Sequence, residues 1–276
     1  MVTLAFHKVE GLGNDFVLLD RREATVAEVE VALPTLATLA PQVCHRRTGV
    51  GGDGILVLGP PRVAGHRASM WVINHDGSRP EMCGNGLRCV ALVAAGAGEH
   101  AFTIDTDAGP RRCWLTAATA EAGEVEVDMG PGRWLGQRRP EAGEGRVFDA
   151  ISMGNPHAVA FVEAHEDPET LARRLGPGVE VSPEFPEGTN VELCRVRDDD
   201  LLLWVWERGC GITDACGTGA CATVVAAARQ GRVPFDAPIL VRLPGGPLEI
   251  RAPADPTAGV RMRGPARVVF GGTMTL

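Results

Sequence analysis

The sequence contains no tyrosine, and Lys8 is its only lysine, so arginine supplies nearly all of its positive charge. Pyridoxal-phosphate enzymes need a lysine for their Schiff base, and a nucleotide-binding P-loop needs a Gly-Lys-Ser/Thr sequence. Lys8 lies in the segment AFHKVEGLG, which provides the context for neither. The composition therefore excludes both classes of protein.

Long apolar runs and a surplus of positive charge are also missing. The formal net charge is −8, which leaves no basic excess to neutralise the phosphates of a nucleic acid or an anionic membrane. No stretch approaches the roughly 18 uninterrupted apolar residues of a membrane span, and residues 1–10 lack the apolar segment of a secretion signal. We expect a cytoplasmic protein with a small-molecule partner, and neither nucleic acid nor membrane as a partner.

The residues that are present indicate a folded, strand-rich chain. Its 276 residues suffice for one or two domains of about 150 residues each, and 45% of them are hydrophobic. Glycine (35 residues) and proline (20 residues) are frequent without a collagen-like period. This composition favours many turns between short strands.

The eight cysteines are expected to be reduced thiols, since the sequence indicates a cytoplasmic protein. None forms a C-x-x-C pair. On a helix, Cys216 and Cys221 would point about 140° apart, and Cys83 and Cys89 about 240° apart. These directions do not suit a closed zinc site, so we predict no metal.

An internal repeat divides the sequence into two similar halves. The segment MWVINHDGSRPEMCGNGLRCVALVAA, from Met70, aligns without gaps with LWVWERGCGITDACGTGACATVVAAA, from Leu203, at a shift of 133 positions. The alignment pairs two Trp-Val dipeptides and places Cys83 opposite Cys216. We expect one half-domain to comprise 1–118 plus 265–276 and to carry Cys83, and the other to comprise 119–264 and to carry Cys216.

The same local pattern occurs in each half: a strand, a glycine-bearing turn, the sequence Cys-Gly-x-Gly, and an Ala/Val-rich helix. The helices, expected over 84–95 and 217–230, carry almost no charge and are predicted to be buried on all sides. Surface helices are predicted over 36–44, after Pro34, and over 169–175. Strands are predicted over 3–9, 16–20, 55–58, 68–74, 101–105, 124–128, 158–162, 191–196, 201–207, 239–243 and 267–270. We expect an α/β (α+β) fold of two pseudo-symmetric domains, each a curved, mostly antiparallel sheet or barrel wrapped around a central helix.

Cysteines placed directly before a buried helix point to acid–base chemistry. The first backbone N–H groups of a helix lack internal partners and carry partial positive charge, so they bind anions and lower the pKa of a thiol. We expect Cys83 and Cys216 to be activated in this way and to face one ligand from opposite sides of a cleft between the halves. One thiolate would remove a proton from a carbon, and the opposing thiol would deliver another. Cys89, Cys113, Cys194 and Cys221 are expected to be packing residues.

Six segments, spread in order over nearly the whole chain, carry a family resemblance: GLGNDFVLLD, INHDGSRPEMCGNGLRC, MGNPHAV, GTNVE, WERGCGITDACGTGACA and LPGG. In these segments the chain resembles the diaminopimelate epimerases, which are cofactor-independent amino-acid epimerases. The resemblance implies two pseudo-symmetric domains with the site between them, no cofactor, and a homodimer. It also implies conversion of LL- to meso-diaminopimelate in the route to lysine and the bacterial cell wall.

The resemblance assigns roles to individual residues. The two catalytic cysteines fall on Cys83 and Cys216, supported by His157 and Glu207. Arg208 would clamp the distant carboxylate of the substrate in a bidentate manner. Further substrate contacts are implied for Asn14, Asn74, Asn155, Asn190 and Glu207, and for the backbone at Gly84, Asn85, Gly217 and Thr218. Some family members have Gln where this chain has Gly54, so a polar contact there is absent or made by the backbone.

Other interpretations remain open at this stage. A cofactor-free racemase of the same build, acting on an amino acid without a second carboxylate, would not need Arg208 as a clamp. A non-catalytic or isomerase relative that binds small acids often lacks one cysteine, whereas this chain has both. A zinc-binding module is disfavoured by the cysteine spacing. Residues 49–54 match G-x-G-x-x-G, but a strand-like segment follows, so we interpret them as a turn rather than a dinucleotide site.

Overall fold

The computed structural model describes residues 3–95, 101–116, 118–119 and 121–275. The chain forms two compact units. Unit 1 comprises Met1–Val127 and Gly264–Leu276, and unit 2 comprises Asp128–Arg263. The half-domain boundaries expected from the repeat, after residues 118 and 264, stay a prediction.

Strands dominate the described residues, and few helices accompany them. The helices are α1 (Val26–Val43), α2 (Gly84–Ala95), α3 (Pro168–Glu180) and α4 (Gly217–Arg229), with a 3₁₀ turn at Glu141–Gly143. The strands are β1 (Thr3–Gly11), β2 (Asn14–Asp20), β3 (Gly54–Gly59), β4 (Ala68–Asn74), β5 (Ala101–Thr106), β6 (Gly109–Thr116), β7 (Ala122–Asp128), β8 (Arg133–Arg138), β9 (Phe148–Ser152), β10 (Pro156–Phe161), β11 (Asn190–Val196), β12 (Leu201–Glu207), β13 (Gly211–Ile212), β14 (Ile239–Leu243), β15 (Gly246–Arg251) and β16 (Arg261–Thr275). No helix within the described ranges is long and apolar enough to cross a membrane.

In unit 1 the strands close into a barrel around α2. Strands β1 to β7 pair in chain order, β7 pairs with β16, and β16 pairs back with β1. Helix α2 contacts β1, β2, β3, β4 and β6, and nearly all of its residues are buried. Helix α1 covers the outside, where Val29, Leu33 and Val43 join a cluster with Trp71. The barrel therefore holds the start of α2, and with it Cys83, in a fixed place.

Unit 2 repeats this arrangement around α4. Its strands pair in the order β8-β9-β10-β11-β12-β14-β15, and the first residues of β16 pair with β15. Helix α4 contacts β9, β10, β11 and β15, and nearly all of its residues are buried. Helix α3 packs on β11 and β12. The predicted fold class, two pseudo-symmetric strand-rich domains each with a central helix, is confirmed.

The strand registers of the two units correspond. In unit 1 the parallel pair β2 and β3 matches Phe16 with Gly54, and in unit 2 the parallel pair β10 and β11 matches His157 with Asn190. The next strand is antiparallel in both units, with Leu56 opposite Val72 and Glu192 opposite Val205. Equivalent positions of the two units can therefore be compared residue by residue.

The central helices begin where predicted, but the surface helices are longer than expected. The prediction that α1 begins at Leu36 is wrong: Thr25 and Glu28 form a capping box, so the helix begins at Val26 and contains Pro34. Helix α3 extends from Pro168 to Glu180, with Asp167 as its N-cap, beyond the predicted 169–175. Strands β6, β8, β9, β13 and β15 were not predicted.

Candidate active site

Cys83 in unit 1 caps the start of α2. The backbone N–H of Gly86 donates to its Sγ at 3.4 Å, and the N–H of Leu87 donates to its carbonyl oxygen at 2.8 Å. The side chain is half-buried. A sulfur that accepts a hydrogen bond from the first turn occupies the place where helices bind anions.

Cys216 in unit 2 makes the same two contacts at the start of α4. The N–H of Gly219 donates to its Sγ at 3.3 Å, and the N–H of Ala220 donates to its carbonyl oxygen at 3.0 Å. Cys216 is the N-cap residue and is buried. The helix-start position expected for both cysteines is therefore found in each unit.

The side chains nearest to the Cys83 thiol are neutral amides. The Oδ1 atom of Asn14 lies 3.9 Å from Cys83 Sγ and accepts from Asn85 Nδ2 at 3.4 Å. The Nδ2 group of Asn14 donates to Asp53 Oδ2 at 2.6 Å, and this carboxylate also accepts from the backbone N–H of Asp15 at 3.0 Å. Asp53, which sequence reasoning missed, thus turns the carbonyl end of Asn14 towards the thiol.

Around Cys216 lie carboxyl groups. The Glu207 carboxyl accepts a hydrogen bond from the Thr213 hydroxyl, and it is close enough to the Cys216 thiol for each group to shift the pKa of the other. The Thr218 hydroxyl lies 3.6 Å from Cys216 Sγ. Burial raises the pKa of the Glu207 carboxyl, so this group is a better proton acceptor than an exposed glutamate.

The expected lowering of the Cys216 pKa is wrong. Burial raises the pKa of this thiol well above its ordinary value, and the nearby carboxyl groups of Glu207 and Glu192 raise it further. The Thr218 hydroxyl and the Gly219 N–H act in the opposite direction but do not compensate. In this pocket, loss of solvation and nearby carboxyl groups outweigh the helix N-terminus.

His157 is buried in the second layer of this pocket. Its Nδ1 lies 2.7 Å from Glu192 Oε1, and its Nε2 lies 3.0 Å from Asn155 Oδ1. The Nδ2 group of Asn155 donates to Thr218 Oγ1 at 3.5 Å. A chain of polar contacts therefore runs from Glu192 to Cys216.

Glu192 was missed although its segment, GTNVE, was noted. A glutamate two residues after Asn190 in an otherwise apolar strand shares a face with Asn190 and Cys194, because side chains alternate along a strand. That face is buried, and Glu192 is 0% exposed. The alternation could have identified it as a buried carboxyl.

The remaining predicted substrate-contact residues are two side chains of unit 2 and the first residues of the two central helices. Asn190 donates through Nδ2 to the Pro156 carbonyl at 2.9 Å and accepts from the N–H of Arg208 at 3.0 Å, so it positions the turn that carries Arg208. Arg208 is exposed and donates to the Glu187 carbonyl at 2.8 Å. Gly84 and Gly217 are the buried first residues of the two central helices.

Two positions near the end of β4 are constrained by contacts within unit 1. The Nδ2 group of Asn74 donates to Ser78 Oγ at 2.9 Å, within its own turn. At the neighbouring Gly54, a Cβ atom would lie 2.5 Å from the Ile73 carbonyl oxygen. The backbone therefore leaves room only for glycine here, and no side-chain contact is made.

The corresponding positions of the two units differ in charge. The registers align Phe16 with His157 and Leu56 with Glu192, and the repeat aligns Asn74 with Glu207. Unit 1 thus has apolar or neutral side chains where unit 2 has ionisable ones. The two cysteines share a backbone geometry but lie in different electrostatic surroundings.

A solved structure shares the fold. A probable proline racemase from Agrobacterium radiobacter matches with a TM-score of 0.72 and 17% sequence identity, covering 99% of this chain and 92% of that one. At this level of identity, the similarity shows a common fold.

The sequence comparisons agree on one family. The family model for diaminopimelate epimerase matches residues 6–135 and 149–269. A diaminopimelate epimerase from Desulfitobacterium hafniense is 42% identical over an alignment of 286 positions, gaps included, which covers 97% of this chain and 96% of the relative. One from Synechocystis is 41% identical over an alignment of 293 positions, gaps included, which covers 98% of this chain and 99% of the relative.

The fold and these relatives define an isomerase of the amino-acid racemase and epimerase class. Within that class, the chain belongs to the diaminopimelate epimerase family.

Proposed function

We propose that this enzyme converts LL-2,6-diaminopimelate to the meso form by two-base proton transfer between Cys83, Cys216 and the α-carbon of the substrate. The observation that carries the proposal is the helix-capping cysteine found once in each unit, in a chain of this family. Inversion needs an acid and a base on opposite faces of one carbon, and the two thiols supply this pair.

On the Cys216 side, the contacts support the following proton path. The thiol gives its proton to Glu207, and the thiolate that forms is held by the N–H of Gly219 and the hydroxyl of Thr218. The thiolate then takes the α-proton of the substrate, and its sulfur becomes a thiol again. The electron pair of the broken C–H bond stays on the substrate and spreads onto its carboxylate.

On the Cys83 side, the thiol delivers a proton to the opposite face of the same carbon and is left as a thiolate. Glu207 then releases its proton to solvent and Cys83 takes one up, which restores the starting state. Asn14 Oδ1 accepts from the thiol and so favours its protonated form before delivery. The backbone N–H groups of Gly84, Asn85, Gly217 and Thr218, at the starts of α2 and α4, would hold the reacting carboxylate. Such donors stabilise the charge that develops there without reorganisation.

Arg208 fits the distant carboxylate. Its guanidinium offers a planar set of donors suited to a bidentate carboxylate, and Asn190 holds the backbone from which it extends. Asn155, Asn14 and Asn74 supply neutral donors and acceptors suited to a zwitterionic amino-acid end. An Arg208→Met variant that lost turnover of diaminopimelate but not of monocarboxylic amino acids would support this assignment. Turnover confined to monocarboxylic substrates in the unaltered enzyme would instead favour the racemase alternative.

Proton exchange tests the proposal directly. Purified, reduced enzyme in heavy water should incorporate deuterium at the α-carbon of LL-diaminopimelate and form the meso isomer, as followed by NMR. Cys83→Ala and Cys216→Ala should each abolish epimerisation. Cys89→Ala and Cys221→Ala, which alter a buried cysteine later in the same helices, should retain it. Full epimerisation by Cys83→Ala would contradict the pairing.

The family resemblance also leads us to propose a cytoplasmic homodimer that acts in lysine and cell-wall precursor synthesis. Phe270 on β16 is 49% exposed, and an exposed aromatic side chain is of the kind enriched in subunit contacts. Light scattering coupled to size-exclusion chromatography measures the molar mass in solution. A mass of one chain at micromolar concentration would contradict the dimer.

A further inference from the structure

Glu192 is a buried carboxyl group that the proton transfers above do not use. It lies on β11 and is 0% exposed, and its Oε1 lies 2.7 Å from His157 Nδ1. Its other oxygen, Oε2, is buried and has no hydrogen-bond partner among the residues that the structure describes. Burying a carboxyl group with one oxygen unpaired costs free energy. We therefore expect the contact between Oε1 and His157 to serve the function of the site.

The hydrogen bonds around His157 determine where its protons lie. Asn155 donates through Nδ2 to Thr218 Oγ1, so the Asn155 atom that faces His157 Nε2 is the carbonyl oxygen, an acceptor. His157 Nε2 must therefore carry a hydrogen. Nδ1 faces Glu192 Oε1, and one further hydrogen is needed between these two atoms to make a bond of 2.7 Å.

Two descriptions satisfy this count, and they contain the same protons. Either an imidazolium faces a carboxylate, or a neutral ring with its hydrogen on Nε2 accepts from a carboxylic acid. Both have one hydrogen on Nε2 and one between Nδ1 and Oε1, and both have zero net charge. Burial raises the pKa of the Glu192 carboxyl, although His157 and the backbone N–H of Ala158 act in the opposite direction, and the raised pKa favours the protonated acid.

We propose that Glu192 is a positioning residue: it shares one proton with His157, keeps the ring hydrogen on Nε2, and gives the pair no net charge beside Cys216. The donors then follow one direction, from His157 Nε2 to Asn155 and from Asn155 to Thr218. Because Thr218 accepts from Asn155, its own hydroxyl hydrogen is directed to Cys216 Sγ. A hydroxyl that donates to sulfur stabilises the thiolate needed for proton abstraction.

The position of Glu192 also explains the glycine at the start of α4. A Cβ atom on Gly219 would lie 2.8 Å from Glu192 Oε1 and 3.1 Å from Cys216 Sγ. The carboxyl therefore packs directly beneath the turn that holds the thiol. The ionisable groups that face the His157–Glu192 pair are Glu207 on β12 and Cys216 at the start of α4.

Imidazole ¹⁵N NMR tests the protonation pattern without relying on catalysis. The His157 signals are assigned by their loss in a His157→Asn variant. The unaltered protein should keep a hydrogen on His157 Nε2 from pH 6 to pH 9. Glu192→Gln should keep it too, because the glutamine amide can donate to Nδ1. In Glu192→Met the Asn155 carbonyl still accepts from Nε2, but the hydrogen shared at Nδ1 is lost, so the Nδ1 signal should move to the position of a bare nitrogen without a hydrogen bond. A ring without hydrogen on Nε2 in the unaltered protein would overturn the proposal.

Kinetics with the same variants test the positioning role, which rests on the proposed epimerase function. Glu192→Gln should keep the pH profile and most of kcat/KM, because the pair stays neutral. Glu192→Met should lower kcat by about tenfold or more, the scale known for partners that orient metal-binding histidines, with little change in KM. The matched control is Glu169→Gln, at a partly exposed glutamate on α3 that pairs with Arg173, and it should leave all parameters unchanged.

Each outcome decides a different point. Equal losses in Glu192→Gln and Glu192→Met would show that a net negative charge is required, which overturns the neutral pair. Full activity in Glu192→Met would show that the side chain only fills space, which overturns positioning. Absence of epimerase activity in the unaltered enzyme would refute the proposed function, while the NMR result would still decide the state of His157.

Discussion

Leu56 and Glu192 occupy the same position in the two units, each beneath the first turn of the central helix. A Cβ on Gly86 would lie 2.8 Å from Leu56 Cδ2, and a Cβ on Gly219 would lie 2.8 Å from Glu192 Oε1. The repeat thus keeps the helix start and the glycine but exchanges an apolar support for a carboxyl group. The two thiols therefore differ in their surroundings even though their backbones match.

This relationship predicts unequal effects of alanine at the two glycines. In Gly86→Ala the new methyl meets the end of a leucine side chain, which can shift. In Gly219→Ala it meets a carboxyl held by His157 and also Cys216 Sγ, at 3.1 Å. We expect Gly219→Ala to cost about 1–3 kcal/mol of unfolding free energy and most of the activity, and Gly86→Ala to cost less of both.

Urea denaturation and steady-state kinetics on both variants measure these effects. Gly65→Ala is unsuitable as a control because its φ of 87° strains any side chain. Gly178 on α3 would meet only the side chain of Ala142 and the adjacent backbone, so Gly178→Ala reports a close contact away from the cysteines. Equal losses of activity at Gly86 and Gly219 would contradict the different supports.

The raised pKa of Cys216 leads to a prediction about alkylation. Burial is the main cause, and Glu207 adds to it by its negative charge. In Glu207→Gln that charge is removed, so the Cys216 pKa should fall and its thiolate fraction at pH 7.5 should rise, by about tenfold for each pKa unit. We expect faster iodoacetamide labelling of Cys216 in a variant with lower epimerase activity.

Mass spectrometry of peptides after timed labelling measures the rate at Cys216 over a range of pH. The unaltered enzyme should label slowly at neutral pH and faster as the pH approaches the raised pKa. Glu169→Gln, which changes a partly exposed carboxyl, should behave as the unaltered enzyme does. Slower labelling in Glu207→Gln would mean that Glu207 acts on the thiol chiefly as a base and not through its charge.

The sequence predicted the central helices and their cysteines because those signals are local. A strand, a turn, Cys-Gly-x-Gly and an apolar helix stand side by side in the chain, and the repeat shows the pattern twice. Glu192 and Asp53 could not be assigned partners in this way. Each belongs to a strand or loop far along the chain from the residue it positions, and only the strand pairing brings Glu192 to His157 and Asp53 to Asn14.

The pKa of Cys216 also depends on contacts that the sequence does not reveal. The helix N-terminus can be read from the sequence, and it favours a thiolate. The degree of burial and the approach of two carboxyl groups depend on the folded core, and they decide the sign. Similarly, Pro34 suggested a helix start, whereas the capping box at Thr25 and Glu28 places it ten residues earlier, at Val26.

Asp53 should matter for catalysis through Asn14. Its Oδ2 accepts from Asn14 Nδ2, which leaves Asn14 Oδ1 facing Cys83. In Asp53→Ala the amide can turn over and present its NH₂ group to the sulfur. We expect kcat/KM to fall by roughly tenfold, a change of about 1.4 kcal/mol in transition-state stabilisation. Asp20→Ala, at an exposed partner of Arg22 in the same unit, is the control and should retain activity. Unchanged kinetics in Asp53→Ala would remove Asp53 from the site.

Lys8, the only lysine, should contribute to stability in a pH-dependent way. It is 8% exposed, pairs with Asp15, and donates to the Gly51 carbonyl. Burial alone would raise the pKa of Asp15, but Arg46 and Lys8 outweigh it and hold the pKa below its ordinary 3.8. Since the folded pKa is the lower one, this contribution is present above about pH 4 and is lost as the pH falls through the folded value.

Lys8→Met should therefore destabilise the protein by about 2 kcal/mol at pH 7, the scale for losing one hydrogen bond to a charged group, because Arg46 still pairs with Asp15. The difference from the unaltered protein should shrink as the pH falls below 3.8, where Asp15 becomes protonated in both proteins. Urea denaturation at a series of pH values measures it. The double variant Lys8→Met with Asp15→Asn removes the carboxylate that Lys8 neutralised and should recover part of the loss at pH 7. A difference that stays constant down to pH 3 would mean that Lys8 acts through packing of its methylene chain and its bond to Gly51, because only the ion pair depends on the charge of Asp15.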